Sequence, residues 1–312
     1  MLDATNEAFS ASVLEGLAQT PKLLEPKWFY DAAGSALFDQ ICDLPEYYPT
    51  RTEARILHDA SVEIAQALGP GVVLYEPGAG SAEKARTLLD VLDRPAAFAP
   101  ADICLEHVEQ SAATLRTLYP GLRIEALPLD FSAALSVPSH LQEAGPVVVF
   151  FPGSTIGNLE PRDAAALMAR FRHEAGAERL LICVDLVKDE QTLVAAYDDA
   201  DGVTAAFNKN LLTRINRELE GDFDLDAFAH VALFNRAESR IEMQLESLRA
   251  QTVSVRDQQF PFAAGERIVT EYSYKYATAD FVGLAADAGW KFENRWVDAD
   301  SHFGVFLFSP MA

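Results

Sequence analysis

The stretch "LYEPGAGSAEK", Leu74 to Lys84, decides how the rest of the chain is read. An apolar run meets an acid, Glu76, breaks at Pro77 into Gly78-Ala79-Gly80, and gives way to a helix-like segment. Glycine at 78 and 80 lets the backbone turn sharply and pass close to a ligand with no Cβ in the way. In a doubly wound α/β fold the first strand-to-helix turn is a nucleotide site. A dinucleotide fingerprint needs a third small residue, and Glu83 occupies that place. The turn therefore points to a cofactor that needs no pyrophosphate cradle.

Outward from the turn, apolar strand-like runs alternate with helical patterns. "VVLYEPG" is followed by "SAEKARTLLDVL", "AAFAPADI" by "CLEHVEQSAATLRTLY", then come "LRIEALPLDF", "PVVVFFPGS" with "PRDAAALMARFRHEA", and "RLLICVDLV". Short apolar strands separated by helices are the mark of βαβ units and a parallel sheet. Pro161 and Gly121 serve as helix start and stop signals. Asp102 ends the second strand, where a carboxylate can accept both ribose hydroxyls. Asp130-Phe131 follows the third, where an acid can take an adenine amino group and an aromatic can cover the ring. Strand, acid, short G-x-G and helix, with these two later acids, is the pattern of S-adenosylmethionine-dependent methyltransferases.

After "DLVKD" the pattern changes. From Glu190 to about Glu238 the chain reads as helical, "RIEMQLESLRAQTVSV" reads as a strand, and "HFGVFLFSP" is a closing strand. The first ~55 residues are aromatic-rich and read as only partly helical. The expected organisation is α/β. Residues 56–187 with 276–312 form the sheet domain, and 1–55 with 188–275 a second, α+β substrate-binding domain.

Composition excludes several classes. Forty-seven acidic against 25 basic residues give a formal charge of −22. That disfavours nucleic-acid binding, which rests on Lys and Arg neutralising phosphates. No apolar run reaches the roughly 18–20 residues of a membrane span, and "MLDATNEAFSASVLEGL" lacks a signal-peptide pattern. Cys42, Cys104 and Cys183 are widely spaced in apolar company and read as reduced, buried thiols of a cytoplasmic protein. The six histidines include no pair at ligand spacing beside a cysteine or carboxylate cluster, so no metal is expected. Nothing signals an interface, and a monomer is expected.

The segments "PKWFYDAAGSALFDQICDLPEYYPTRTEARIL", "EPGAGSAEKARTLLD", "FFPGSTIGNLEP", "AYDDADGVTAAFNKNLLTRIN" and "TEYSYKY" resemble the histidine N-alpha-methyltransferase family of ergothioneine biosynthesis. The resemblance runs from about Pro21 to Pro310. It implies a Rossmann-like class I methyltransferase sheet with S-adenosylmethionine at Gly78, Gly80, Lys84, Asp102, Asp130 and Phe131. The amino acid would lie in a cleft between the two domains. Asn158, in the second glycine turn, and Tyr197 would hold its carboxylate, with Tyr30 near the amine. Tyr47, or the adjacent Tyr48, would border the imidazole, Met243 would pack near the ring, and Glu271 and Ser273 would read its nitrogens. The implied reaction is trimethylation of the α-amino group of L-histidine to hercynine, without a metal. Fungal relatives of the same architecture methylate a prenylated tryptophan, so another amino acid is the alternative substrate.

The residue chemistry is compatible with these roles. Tyr30 suits positioning better than proton abstraction, because an ordinary phenol has a pKa near ~10. The alternation Thr270-Glu271-Tyr272-Ser273 puts Glu271 and Ser273 on one face of a strand. A carboxylate and a hydroxyl there can tell an imidazole from an apolar side chain by hydrogen bonding. "WFY" and "YY" offer rings for a quaternary ammonium, although Trp28 and Phe29 also read as core.

Overall fold

The structure is a computed structural model that describes residues 4–80, 82–131 and 133–311. The chain divides into two compact units, Met1–Tyr48 with Lys188–Lys275, and Pro49–Val187 with Tyr276–Ala312. The first crossing falls at Tyr48 and Pro49, ahead of the expected position near 55. Each unit has its own apolar core.

The second unit is built on one large sheet. Its strands lie in the order Trp290–Val297, Phe303–Pro310, Arg179–Asp185, Val147–Phe151, Val73–Pro77, Ala97–Asp102, Arg123–Ile124, with Leu127–Pro128 also paired to Ala97–Asp102. Leaving that last piece uncounted, the order along this unit's chain is 6-7-5-4-1-2-3. Neighbours from 179–185 through 123–124 are parallel, and the closing strand Phe303–Pro310 is antiparallel to Arg179–Asp185. This is the Rossmann-like methyltransferase sheet that the motifs imply. "VVVFF" is buried along its whole length, as a central parallel strand covered on both faces must be. Helix Pro161–His173 starts on proline and ends on Arg170, Arg172 and His173, which complement its carbonyl end. It buries Ala164, Leu167, Met168 and Phe171, one stripe at helical spacing.

The topology explains why there are two glycine turns. The chain goes on from Val73–Pro77 and from Val147–Phe151 toward opposite edges of the sheet, and these two strands are adjacent. Gly78-Ala79-Gly80 and Pro152-Gly153-Ser154 follow their carboxyl ends, at the switch point where such sheets bind ligands.

The first unit holds a four-stranded sheet in the order Lys22–Leu23, Arg267–Tyr274, Arg240–Ser247, Phe228–Asn235, and a separate hairpin of Gln251–Val255 with Gln258–Phe262. Helices Ala4–Ala18, Ala32–Asp43, Glu190–Ala195 and Val203–Glu218 accompany it. Asp31 caps helix Ala32–Asp43 by accepting from the Gly34 amide at 2.7 Å. It also accepts from Asn210 Nδ2 at 2.9 Å and pairs with Arg217 at 2.6 Å, which fixes this helix to Val203–Glu218.

Several expectations are corrected. The segment to Glu238 is not helical throughout, because Phe228–Asn235 is a strand paired with Arg240–Ser247. "RIEMQLESLRAQTVSV" is two strands in different sheets, broken at Leu248–Ala250. The N-terminal segment is mostly helical, and "LRIEALPLDF" supplies only two two-residue strands. Cys183 is buried but Cys42 is only half-buried and Cys104 is exposed. Asp298, Asp300 and His302 bring ligand atoms within 4.8 Å of one another, a grouping that histidine spacing did not suggest. Asp298 there accepts from the amides of Asp300 and Phe303 and closes the turn between the last two strands. Among the described residues no helix is long and apolar enough to cross a membrane.

Candidate active site

In the sheet unit, the glycine turn is shaped by the neighbouring strand. The amides of Gly78 and Ala79 both donate to the Ala101 carbonyl, at 2.7 and 3.0 Å. Asp102 accepts from the Gly80 amide at 3.3 Å and the Cys104 amide at 3.1 Å, so its carboxylate stands at the mouth of the turn. Gly78 and Gly80 have φ of 76° and 51°, a region glycine enters without strain. The Phe131 ring lies 4.0 Å from where a Gly78 Cβ would be. Arg170 holds the Phe131 loop by donating to the carbonyls of Phe131, at 2.6 Å, and Ala133. Gly78, Gly80, Asp102 and Phe131 thus gather around one turn. Asp130 is exposed and immediately precedes Phe131.

Lys84 takes a more specific place. Its ammonium pairs at 2.6 Å with Glu53, whose other oxygen accepts from the Gly153 amide at 2.5 Å. Glu53, 1% exposed, therefore ties the two glycine turns together. Burial would lower the Lys84 pKa, but the Glu53 carboxylate outweighs it and holds the pKa above its ordinary value. Glu76 is also buried, and that burial pushes its pKa up to about 8, opposed by Lys84 and reinforced by Glu53. Its Oε2 has no hydrogen-bond partner among the described residues. A buried carboxyl oxygen without a partner asks for a hydrogen-bond donor from a ligand. Beside it stand an acid for ribose hydroxyls and an aromatic for a base. This donor set fits S-adenosylmethionine, which carries an amino-acid end, a sulfonium, a ribose and an adenine.

The second turn differs. Gly153 and Ser154 have φ of 82° and 55°. The Ser154 hydroxyl accepts from the Asp185 amide at 2.9 Å, which locks the turn to the adjacent strand. Asn158 ends the short 3-10 helix Thr155–Asn158 and is half-buried.

The other residues singled out from the sequence lie in the first unit, and six of them come together. Glu271 and Ser273 lie on strand Arg267–Tyr274, with Met243 opposite Glu271 in the register. The Tyr197 hydroxyl is 2.8 Å from Ser273 Oγ. Tyr47 packs edge-on against Tyr197, and Phe38 bridges Tyr30 and Tyr47 by edge-on contacts. Tyr48 instead accepts from Lys188 Nζ at 2.5 Å. Tyr30 is 48% exposed and lies within electrostatic reach of Glu271, Cys42 and Tyr197. Burial first, then these neighbours, raise its pKa well above that of an ordinary phenol, and Tyr47 is raised for the same reasons. Burial also pushes the Glu271 pKa up to about 7, against the opposing pull of Lys275. Tyr197 is held from behind: its carbonyl accepts from His230 Nε2 at 2.8 Å, and Asn208 Nδ2 donates to His230 Nδ1.

Three contributors were missed in the sequence reading. Phe38 carries no signal beyond being aromatic. Glu53 lies far from Lys84 in sequence. Lys275 shares the alternation of Glu271 and Ser273, but lysine ordinarily faces water.

The family model for histidine-specific, S-adenosylmethionine-dependent methyltransferases matches residues 9–310. The chain belongs to this family. The histidine N-alpha-methyltransferase of Mycolicibacterium smegmatis is 46% identical over 98% of this chain and 96% of its own length. That of Mycobacterium tuberculosis is 44% identical with the same coverage. Ergothioneine biosynthesis protein 1 of Neurospora crassa is 27% identical over 94% of this chain and 33% of its own length.

Proposed function

We propose that this methyltransferase transfers three methyl groups in succession to the α-amino nitrogen of L-histidine, giving hercynine. The observation that carries this reading is the buried pair of Glu271 and Ser273 on one strand face, beside Met243 and a wall of tyrosines. An imidazole offers one N–H and one bare nitrogen, which a carboxylate and a hydroxyl satisfy together. An indole offers only the N–H and leaves Ser273 without an acceptor, a loss that discriminates strongly in a buried site. The two bacterial relatives of near-full coverage are histidine enzymes by name. Both points weigh against a tryptophan derivative.

S-adenosylmethionine, when bound, supplies the electrophilic methyl. Glu76, Asp102 and Phe131 bind and orient it, with Lys84 held by Glu53 between the two turns. Tyr197 takes the substrate carboxylate. Tyr30, kept protonated by its surroundings, positions the amine by hydrogen bonding and leaves proton removal to water. Each methylation needs the nitrogen stripped of one proton, so three protons leave before the quaternary product forms. The rings of Tyr30, Phe38 and Tyr47 suit that growing cation. We also read the enzyme as a cytoplasmic monomer without a metal, on the sequence alone.

The test is to incubate purified protein with labelled S-adenosylmethionine and a panel of amino acids and follow mass. Gains of one, two and three methyl groups on histidine alone support the reading. Labelling of tryptophan in its place overturns the substrate.

A further inference from the structure

Lys275 is 2% exposed and sits in the candidate histidine site without an assigned role. Its ammonium donates to Tyr197 Oη at 2.9 Å and to Ser273 Oγ at 2.8 Å, while these two oxygens are 2.8 Å apart. It also lies 4.7 Å from the centre of the Tyr197 ring. Bonds between its backbone and Ser239, at 2.8 and 2.7 Å, fix where the side chain starts.

This triangle has a proton count. An ammonium has three donors and no acceptor, so both oxygens accept from it and neither hydroxyl proton can point at it. Without a ligand, one of those protons occupies the Tyr197–Ser273 edge. With a ligand that offers two acceptors, both protons can turn outward, because Lys275 already satisfies an acceptor lone pair on each oxygen. A methionine would fill the space of the lysine with no need to bury a charge. The charge is offset by Glu271, two turns of the pleat away on the same face.

We propose that Lys275 is a positioning residue of the amino-acid site. It forces the hydroxyls of Tyr197 and Ser273 to act as donors, one to the substrate carboxylate and one to the bare ring nitrogen. This rests on the histidine reading above. It selects for ligands with acceptors at both places and against a protonated imidazole, which has no bare nitrogen.

The experiment measures histidine and S-adenosylmethionine binding to the full chain by calorimetry across pH, for wild type and Lys275→Met. In wild type, histidine affinity falls below about pH 7, as Glu271 takes up a proton and the free imidazole then protonates near ~6.5. In Lys275→Met, histidine binds roughly tenfold to a hundredfold more weakly at high pH, since its acceptors lose aligned donors. The imidazole's share of the fall toward low pH flattens, because a released Ser273 can accept instead of donate, while the share due to Glu271 moves to higher pH without Lys275. S-adenosylmethionine affinity stays within about twofold, a change well under the ~1.4 kcal/mol of a tenfold effect. Unchanged histidine affinity and pH profile in a folded variant overturn the role of Lys275 alone. Absence of histidine binding by wild type overturns the function and this inference with it. Should Lys275→Met fail to fold, Tyr197→Phe, Ser273→Ala and the double variant decide. Independent outward donors give additive losses, whereas a loss in the double variant no larger than in one single overturns the proposal.

Discussion

A carboxyl group 9% exposed, as Glu271 is, trades stability for recognition. Its pKa is about 7 in the folded protein, whereas the unfolded chain ionises near 4.5. Between those values the folded state holds a proton that the unfolded state has lost, so folding stability falls as pH rises through that window and levels off above it. Ionised Glu271 thus costs the free enzyme up to about 3 kcal/mol, a figure that already includes the favourable pull of Lys275. Glu271→Gln is expected to melt several degrees above wild type at about pH 8 and level with it at about pH 4.5, while binding histidine at least tenfold more weakly. Equal melting temperatures at both pH values would sink the argument. Period-two alternation makes Glu271 and Ser273 legible in the sequence. Lys275 obeys the same alternation, yet only the tertiary surroundings reveal that its ammonium is buried.

Among the elements, helix Ala32–Asp43 shows how packing overrides propensity. A Cβ on Gly34 would stand 1.8 Å from the Phe29 carbonyl oxygen and 3.2 Å from Asn210 Nδ2. In an open helix Gly→Ala gains ~1 kcal/mol. Here Gly34→Ala is expected to destabilise by about 1–3 kcal/mol in denaturant titration, because backbone must move. The KM for histidine should rise with it, since this helix carries Phe38 to the tyrosine wall. A variant more stable than wild type would show that the contact relaxes freely. The strand Phe228–Asn235 marks the opposite limit of sequence reading. "FAHVALFN" is half-buried along most of its length, so neither alternation nor a helical stripe is written into it. Its pairing with Arg240–Ser247 makes it a strand.

At the scale of the whole molecule, a formal charge of −22 opposes compaction in both units. Raising sodium chloride from about 0.02 to about 0.3 M should screen that repulsion and raise Tm by a few degrees, whereas a fall would show that attractive pairs dominate. The order of strands and helices in the sheet unit, the glycine turn and the acids at the strand ends were determined by the sequence alone. They are local signals, carried by neighbours a few residues apart. Only the tertiary structure decided that Glu53 joins the turns at 78–80 and 152–154. It likewise decided that Tyr197 meets Ser273 and Lys275 across 76 and 78 residues of chain. Such meetings depend on strand register and core packing between distant segments, and no periodicity within a segment encodes them.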